Sequence, residues 1–318
     1  MNGPLSTGRI PTTGACILVT GGAGFIGAAV ARKLVDARFR VRVLDDMSRG
    51  SERRLAGLSV DTIIDDIRSE RAVRDACDGV SGIVHLAAAE PEPRTPRDEL
   101  IAHEINVTGT LHVCSAARAH GVHRAVLAST ARVYGDHGRS LLHEESAPRP
   151  TSSEGAQKLA AETYVRLATE RDHLPACILR IFSAYGPKEQ TRSSDDFVTT
   201  FVARSVAGHP ATIAGDGEQT RTLVYVDDVA EAVVAALTRP GVTGRTFNVA
   251  SAESPSVRHV LGCIGDILGP LPAPRFAPPR LLDPRHVRAS TAAAASGLGF
   301  VARTPLENGL RACIAGCT

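Results

Sequence analysis

Val19-Thr20-Gly21-Gly22-Ala23-Gly24-Phe25-Ile26-Gly27 follows a short apolar run, Ala15 to Val19, and leads into the helical pattern Ala28-Ala29-Val30-Ala31-Arg32-Lys33-Leu34-Val35. A strand, a glycine turn and a helix in that order make a phosphate site. Gly21 lets the chain turn sharply, Gly24 lets the backbone approach a pyrophosphate, and Gly27 lets the helix pack closely on the sheet. The helix N-terminus adds unpaired N–H groups and the positive end of its dipole. The spacing is G-x-x-G-x-x-G, a variant of the commoner G-x-G-x-x-G. A glycine triplet alone is weak evidence, so the rest of the chain has to support it.

Outward from this turn, short β-branched runs alternate with longer helical stretches. Strands are expected at Ala15–Thr20, Arg40–Leu44, Asp61–Ile64, Gly82–Leu86, Arg124–Ser129 and Ala176–Phe182. Helices are expected near Ala28–Ala37, Ser69–Cys77, Asp98–His120 and Glu154–Glu170. The strand runs are apolar at consecutive positions, as strands covered on both faces are. The pattern predicts an α/β fold, a Rossmann-type doubly wound parallel sheet with a smaller C-terminal substrate-binding α/β lobe. After Phe182 the regularity weakens into turns, then returns as a helix at Asp227–Thr238, a strand at Thr246–Ala250 and a helix at Val257–Leu268. The proline-rich run Pro270 to Pro284 reads as irregular. Residues 1–14 read as a loose tail, 15–182 as a dinucleotide-binding domain to which 222–250 returns, and 183–318 as the second lobe.

At 318 residues the chain is long enough for one large core or two lobes, and 43% hydrophobic with 22% charged residues is ordinary for a globular protein. A net charge of +2 with no dense basic run gives no reason to expect nucleic acid or an anionic membrane surface. No apolar stretch approaches a membrane span, and residues 1–14 lack the apolar core of a signal peptide. Seven cysteines, scattered and mostly inside apolar runs, point to reduced thiols and a cytoplasmic protein. His85, His103 and His112 lie on different elements without ligand spacing, so no metal is expected.

Asp45 ends the second strand, 24 positions after Gly21. An acid there suits the adenine-ribose hydroxyls and repels a 2′-phosphate, which favours NAD over NADP. Arg49 is the one neighbour that would suit NADP. Asp66-Ile67, after the third strand, stands where the adenine would lie, although an aspartate there is more often only a turn residue.

Further landmarks follow in order: Leu44-Asp45-Asp46-Met47-Ser48, His85-Leu86-Ala87-Ala88, Asn106-Val107-Thr108-Gly109-Thr110, Val133-Tyr134-Gly135, Leu179-Arg180-Ile181-Phe182, Tyr185-Gly186-Pro187, Gly215 to Arg221, and Tyr225-Val226-Asp227-Asp228. Together they resemble the extended short-chain dehydrogenase/reductase family, in its nucleotide-sugar epimerase and dehydratase branch, from about residue 15 to the end. The resemblance implies a two-lobed enzyme that keeps NAD bound and oxidises a hydroxyl of a nucleoside-diphosphate sugar to a ketone. Re-reduction from the opposite face, or loss of a neighbouring group, then follows. It assigns Gly21, Gly24, Phe25, Ile26, Gly27, Asp45, Asp66, Ile67, Leu86, Ala87, Ala88 and Lys158 to the cofactor. Thr130, Arg221 and Arg280 fall to the substrate, with Arg221 and Arg280 as the diphosphate-gripping arginines, while Arg132 and Ser183 stand at substrate positions where the chain departs from the family. It also implies a homodimer, through the helices at Asp98–His120 and Glu154–Glu170.

One departure matters most. The family carries its proton on the tyrosine of a Tyr-x-x-x-Lys motif, whose lysine holds the nicotinamide ribose and acidifies the phenol. A Ser or Thr orients the sugar hydroxyl, and Thr130 matches it. Here Lys158 is in place, one helical turn on from the tyrosine position, but that position holds Glu154. A tyrosine at about pKa 10 must be acidified about a thousandfold to act near neutral pH. A free glutamate, at about 4.3, is already ionised, shorter, and a weak base unless burial raises it. Four roles are open: a substitute acid/base, a polar bystander while Tyr134 or a substrate group does the work, part of a site that binds without turnover, or an ion-pair partner of Lys158. If Glu154 carries the proton, Glu154→Gln loses turnover and keeps the cofactor. After Thr130 the family's dehydratases carry an Asp-Glu pair and its decarboxylases a glutamate; Ala131 and Arg132 stand there instead. Elimination needs an acid and a base at neighbouring carbons, so epimerisation is favoured. Ser183 stands where the family usually has an asparagine, and Arg132 is a candidate for an anionic group on the sugar.

Overall fold

The computed structural model describes residues 10–89, 95–187, 197–279 and 283–317. A seven-stranded parallel sheet carries the larger lobe: β1 (Cys16–Thr20), β2 (Arg40–Asp45), β3 (Val60–Ile64), β4 (Gly82–His85), β5 (Arg124–Thr130), β6 (Ala176–Ile181) and β7 (Thr246–Val249). Their order across the sheet is β7-β6-β5-β4-β1-β2-β3. This is the doubly wound α/β fold that the alternation predicts. Strands β1, β4 and β6 are buried along their whole length, because helices cover both faces.

The chain runs outward from β1 to β3 and then returns to β4 on the other side of β1, so a topological switch lies between β1 and β4. Ligands bind outside the carboxyl ends of strands at such a point. The register sets these ends level: Thr20 pairs with Leu44 on one side and His85 on the other, and Thr130 pairs with Ile181.

One face is covered by α1 (Phe25–Asp36), packed against the helix Val226–Thr238, and the other by α2 (Gly109–Ala119) against α3 (Ser153–Asp172). Two apolar cores result. One holds Ile17, Val19, Val30 and Leu34 with Val229 and Val233; the other holds Leu18, Ile83, Val113, Ala117, Ala161 and Val165. β7 adds to the sheet beside β6.

Three expectations differ in detail. The helix expected at Asp98–His120 is helical from Pro96 but carries a π-turn at Glu104–Thr108. There Asn106, fully buried, accepts from the Ala89 N–H at 3.1 Å and donates to Gln157 at 2.7 Å, and a π-turn is how a helix admits a side chain at such a site. The proline-rich run is not wholly irregular: Arg275–Ala277 pairs in parallel with Thr212–Ala214. The smaller lobe also holds a helix that periodicity did not reveal, α4 (Phe197–Val206), whose Val198, Phe201 and Val202 enter a third core with Val260 and Ile264.

Candidate active site

The glycine turn has the conformation its sequence requires. Gly21 sits at φ +69°, where a side chain is strained, and a Cβ there would lie 2.7 Å from the Ala87 nitrogen. A Cβ on Gly27 would collide with the Gly21 carbonyl oxygen and lie 2.7 Å from Gly22 Cα. Gly24, the residue that opens α1, brings no capping side chain, and no acidic residue enters the first turn. An anion is the natural complement of such a helix end.

Beyond the turn a single cleft of about 1300 Å³ runs along the carboxyl edge of the sheet. Pockets that hold one drug-sized ligand measure about 300–1,000 Å³, so this cleft is larger than one such molecule needs. Gly21, Gly24, Phe25, Ile26, Gly27, Asp45, Asp66, Ile67, Leu86, Ala87 and Ala88 line one arm, while Thr130, Arg132, Glu154, Lys158 and Ser183 line the other. α4 walls the far side with Phe197, Thr199, Thr200, Ala203 and Arg204. These five were missed from the sequence; only the apolar spacing Val198, Phe201, Val202 hinted at the helix that presents them.

Asp45 accepts from the N–H groups of Ala23 and Met47, both at 2.9 Å. Burial raises its pKa against the lowering effect of those bonds. Asp66 is gripped by Arg68 at 2.6 Å, which holds its carboxyl below the ordinary range despite partial burial. His85 is enclosed between Thr20 Oγ1 at 2.7 Å and Thr110 Oγ1 at 3.0 Å. Burial, with Lys158 nearby, pushes its pKa down to about 3 and keeps the imidazole neutral. Among the described residues no group of three or more His, Cys, Asp or Glu is placed to hold a metal ion.

At the other arm, Thr130 Oγ1 accepts from the Arg132 N–H at 3.3 Å. Lys158 Nζ, on the buried face of α3, donates to the Ala128 carbonyl at 3.0 Å. Glu154 stands one turn before it, and its Oε2 lies 3.0 Å from Arg132 Nε. The glutamate at the tyrosine position therefore pairs with Arg132, and Arg132 meets an anion of the protein itself.

Other candidates fall elsewhere. Tyr134 is fully buried outside the cleft lining; its hydroxyl donates to Asn248 at 2.6 Å, and burial pushes its pKa to about 12. A phenol so placed is no proton carrier for the cleft. Arg221 binds Asp283 at 2.7 Å and the carbonyls of Thr220 and Arg285, and it is not among the described cleft residues. Arg280 lies outside the described residues.

The NAD dependent epimerase/dehydratase family model matches residues 17–250. The chain belongs to that family. UDP-glucose 4-epimerase of Mycolicibacterium smegmatis is 31% identical over 299 residues, covering 92% of this chain and 95% of its own. UDP-glucuronic acid decarboxylase 1 of Arabidopsis thaliana is 29% identical, covering 96% of this chain and 71% of its own. The crystal structure of Thermus thermophilus UDP-glucose 4-epimerase in complex with NAD superposes with a TM-score of 0.86 at 29% identity, over 95% of this chain and 98% of that one. Within this epimerase/dehydratase chain, the glycine cradle and the N-terminal end of α1 fit the pyrophosphate of a dinucleotide.

Proposed function

We propose that this protein is an NAD-dependent nucleotide-sugar epimerase acting on a nucleoside-diphosphate sugar, of which the UDP-sugars of its relatives are the first to try. One observation carries the reading: a single cleft joins the glycine turn and Asp45 to Thr130, Glu154 and Lys158, with the second lobe opposite. NAD, when bound, supplies the acceptor and later the donor of the hydride.

The turn and the α1 N-terminus hold the pyrophosphate, Asp45 meets the adenine ribose, and Lys158 holds the nicotinamide ribose. Thr130 keeps its hydroxyl proton to donate and orients the reacting sugar hydroxyl. Glu154 stands where the family has its phenol, and Arg132 holds it there. Ala131 and Arg132, where eliminating members of the family carry acids, favour isomerisation over a lyase reaction. The decarboxylase relative is the observation on the other side.

The test is purification followed by incubation with UDP-hexoses and UDP-hexuronic acids. NAD is expected to co-purify, and a product of unchanged mass with one inverted carbon is expected by mass spectrometry and NMR. A product lighter by water or carbon dioxide would replace the isomerase with a lyase. Bound NAD that no nucleotide sugar ever reduces would leave a non-catalytic binding protein.

The same family reading makes the chain a homodimer. Leu111 on α2, with Tyr164 and Leu167 on α3, leave apolar side chains on the outer face of that helix pair. Sedimentation should give twice the chain mass, and Leu111→Glu with Leu167→Glu should halve it. A wild-type monomer at micromolar concentration would refute the assembly.

A further inference from the structure

We propose that Lys158, rather than Glu154, is the catalytic residue that carries the proton between the sugar hydroxyl and the protein, with Glu154 tuning it. The inference rests on the epimerase reading above and deepens it.

Tyr134 points away into its bond with Asn248. Glu154 Oε2 is held by Arg132 Nε at 3.0 Å, so to take a proton there this carboxylate must give up part of that pairing. Epimerisation needs a group that both takes a proton and gives it back. Lys158 is placed to do this. It lines the same cleft as Thr130 and is only 4% exposed, and among the described residues one acceptor, the Ala128 carbonyl at 3.0 Å, fixes its Nζ. An amine has one lone pair when neutral and three protons when charged, so one such bond leaves it able to act in either direction.

Its surroundings suit the task. Glu154 and Glu162 lie one turn before and one turn after it on α3, and both favour the ammonium. Burial opposes them and prevails, holding the amine below the ordinary lysine range. Arg132 pairs with the first carboxylate and Arg180 with the second, so neither charge acts on the amine undiminished. His85, the titratable group that faces it from β4, stays neutral.

The step balances. The neutral amine takes the hydroxyl proton; the O–H electron pair becomes the second C–O bond; the C–H hydrogen leaves with its pair as hydride to the nicotinamide cofactor. In the return, hydride re-enters the other face of the ketone and the ammonium gives its proton to the oxygen.

The test compares wild type with Glu154→Gln and Lys158→Met in full-length, NAD-loaded protein. Wild-type kcat should rise with pH through one ionisation to a plateau. Glu154→Gln removes a carboxylate that favours the ammonium, so it should move that rise to lower pH and cost about tenfold in turnover. Losing the carrier costs about 10²–10⁴-fold, which is the expectation for Lys158→Met measured at saturating NAD. A Glu154→Gln enzyme with NAD bound and a thousandfold loss would make Glu154 the carrier and overturn the proposal. Nitrogen-15 NMR of labelled lysine side chains reads the same point without turnover. The Lys158 amine should titrate below the other lysines, and lower still in Glu154→Gln. An amine that stays protonated wherever the protein is folded overturns the proposal, even if sugars are epimerised. Failure of every sugar to react would instead strike the epimerase reading.

Discussion

Glu162→Ala is expected to destabilise the fold by about 3–5 kcal/mol, the cost of removing one partner of a buried ion pair. The Glu162 carboxylate is wholly inaccessible. It accepts from Arg180 Nε at 2.9 Å and Nη2 at 2.8 Å, from Ser129 Oγ at 2.5 Å and from Arg166 at 3.1 Å. Arg180 is itself buried, stacks 4.7 Å over the Tyr134 ring and donates to the Glu144 carbonyl at 2.9 Å. Removing the carboxylate strands that guanidinium. The group also ties α3, which carries Glu154 and Lys158, to β5 and β6. Burial raises the Glu162 pKa, but the bonds from Arg180 and Ser129 outweigh it, and the net shift is downward. A depressed carboxyl contributes stability above its unfolded value, about 4.3, and loses it as pH falls through the lower folded value. Denaturant midpoints at neutral pH and below pH 4 test both parts. A loss under about 1 kcal/mol at neutral pH, or a variant as acid-sensitive as wild type, would show that the ion pair is not the anchor described.

Gly27→Ala is expected to abolish stable cofactor retention, with a loss of affinity above about 100-fold, or roughly 3 kcal/mol. The added methyl meets the Gly21 carbonyl oxygen, Gly22 Cα at 2.7 Å and Gly21 C at 2.9 Å. All three are backbone atoms of the turn itself, so relief requires opening the cradle. Gly262→Ala is the matched control, because a Cβ there meets nothing within 4 Å and alanine favours a helix by up to about 1 kcal/mol. Nucleotide released on denaturation reports retention, and thermal melting separates folding from binding. Gly27→Ala protein that keeps its full complement of NAD would remove the glycine cradle from the cofactor site.

The inner sheet was legible because its strands are covered on both faces and so are written as consecutive apolar runs, as in Ile17-Leu18-Val19 and Ile83-Val84. The glycine turn was legible because steric exclusion leaves no other residue. The small sheets outside the main one were harder to read, since strands as short as Leu141–Leu142 and Thr220–Arg221 have no period to recognise. The partner of Glu154 was illegible for a different reason. Arg132 reaches it only because the turn Ala131–Val133 packs on the start of α3, where a Cβ on Gly155 would stand 2.5 Å from the Arg132 carbonyl oxygen. Spacing along one helix offered Lys158 as one possible partner, and only the packing of this turn brings Arg132 within reach as well.

The π-turn at Glu104–Thr108 fixes a phase. Each residue of a helix advances about 100°, and the turn holds one more than an α-helical turn would. Upstream of it Ile101 and Ala102 look into the cleft; downstream Thr110 meets His85, and Leu111 stays outside. A descendant that lost a single residue here would regain a regular helix. Because the turn absorbs that one extra residue, Thr110 would still meet the imidazole and the leucine would still point outward, so the insertion is confined to the stretch that seats Asn106 and leaves both flanks in step.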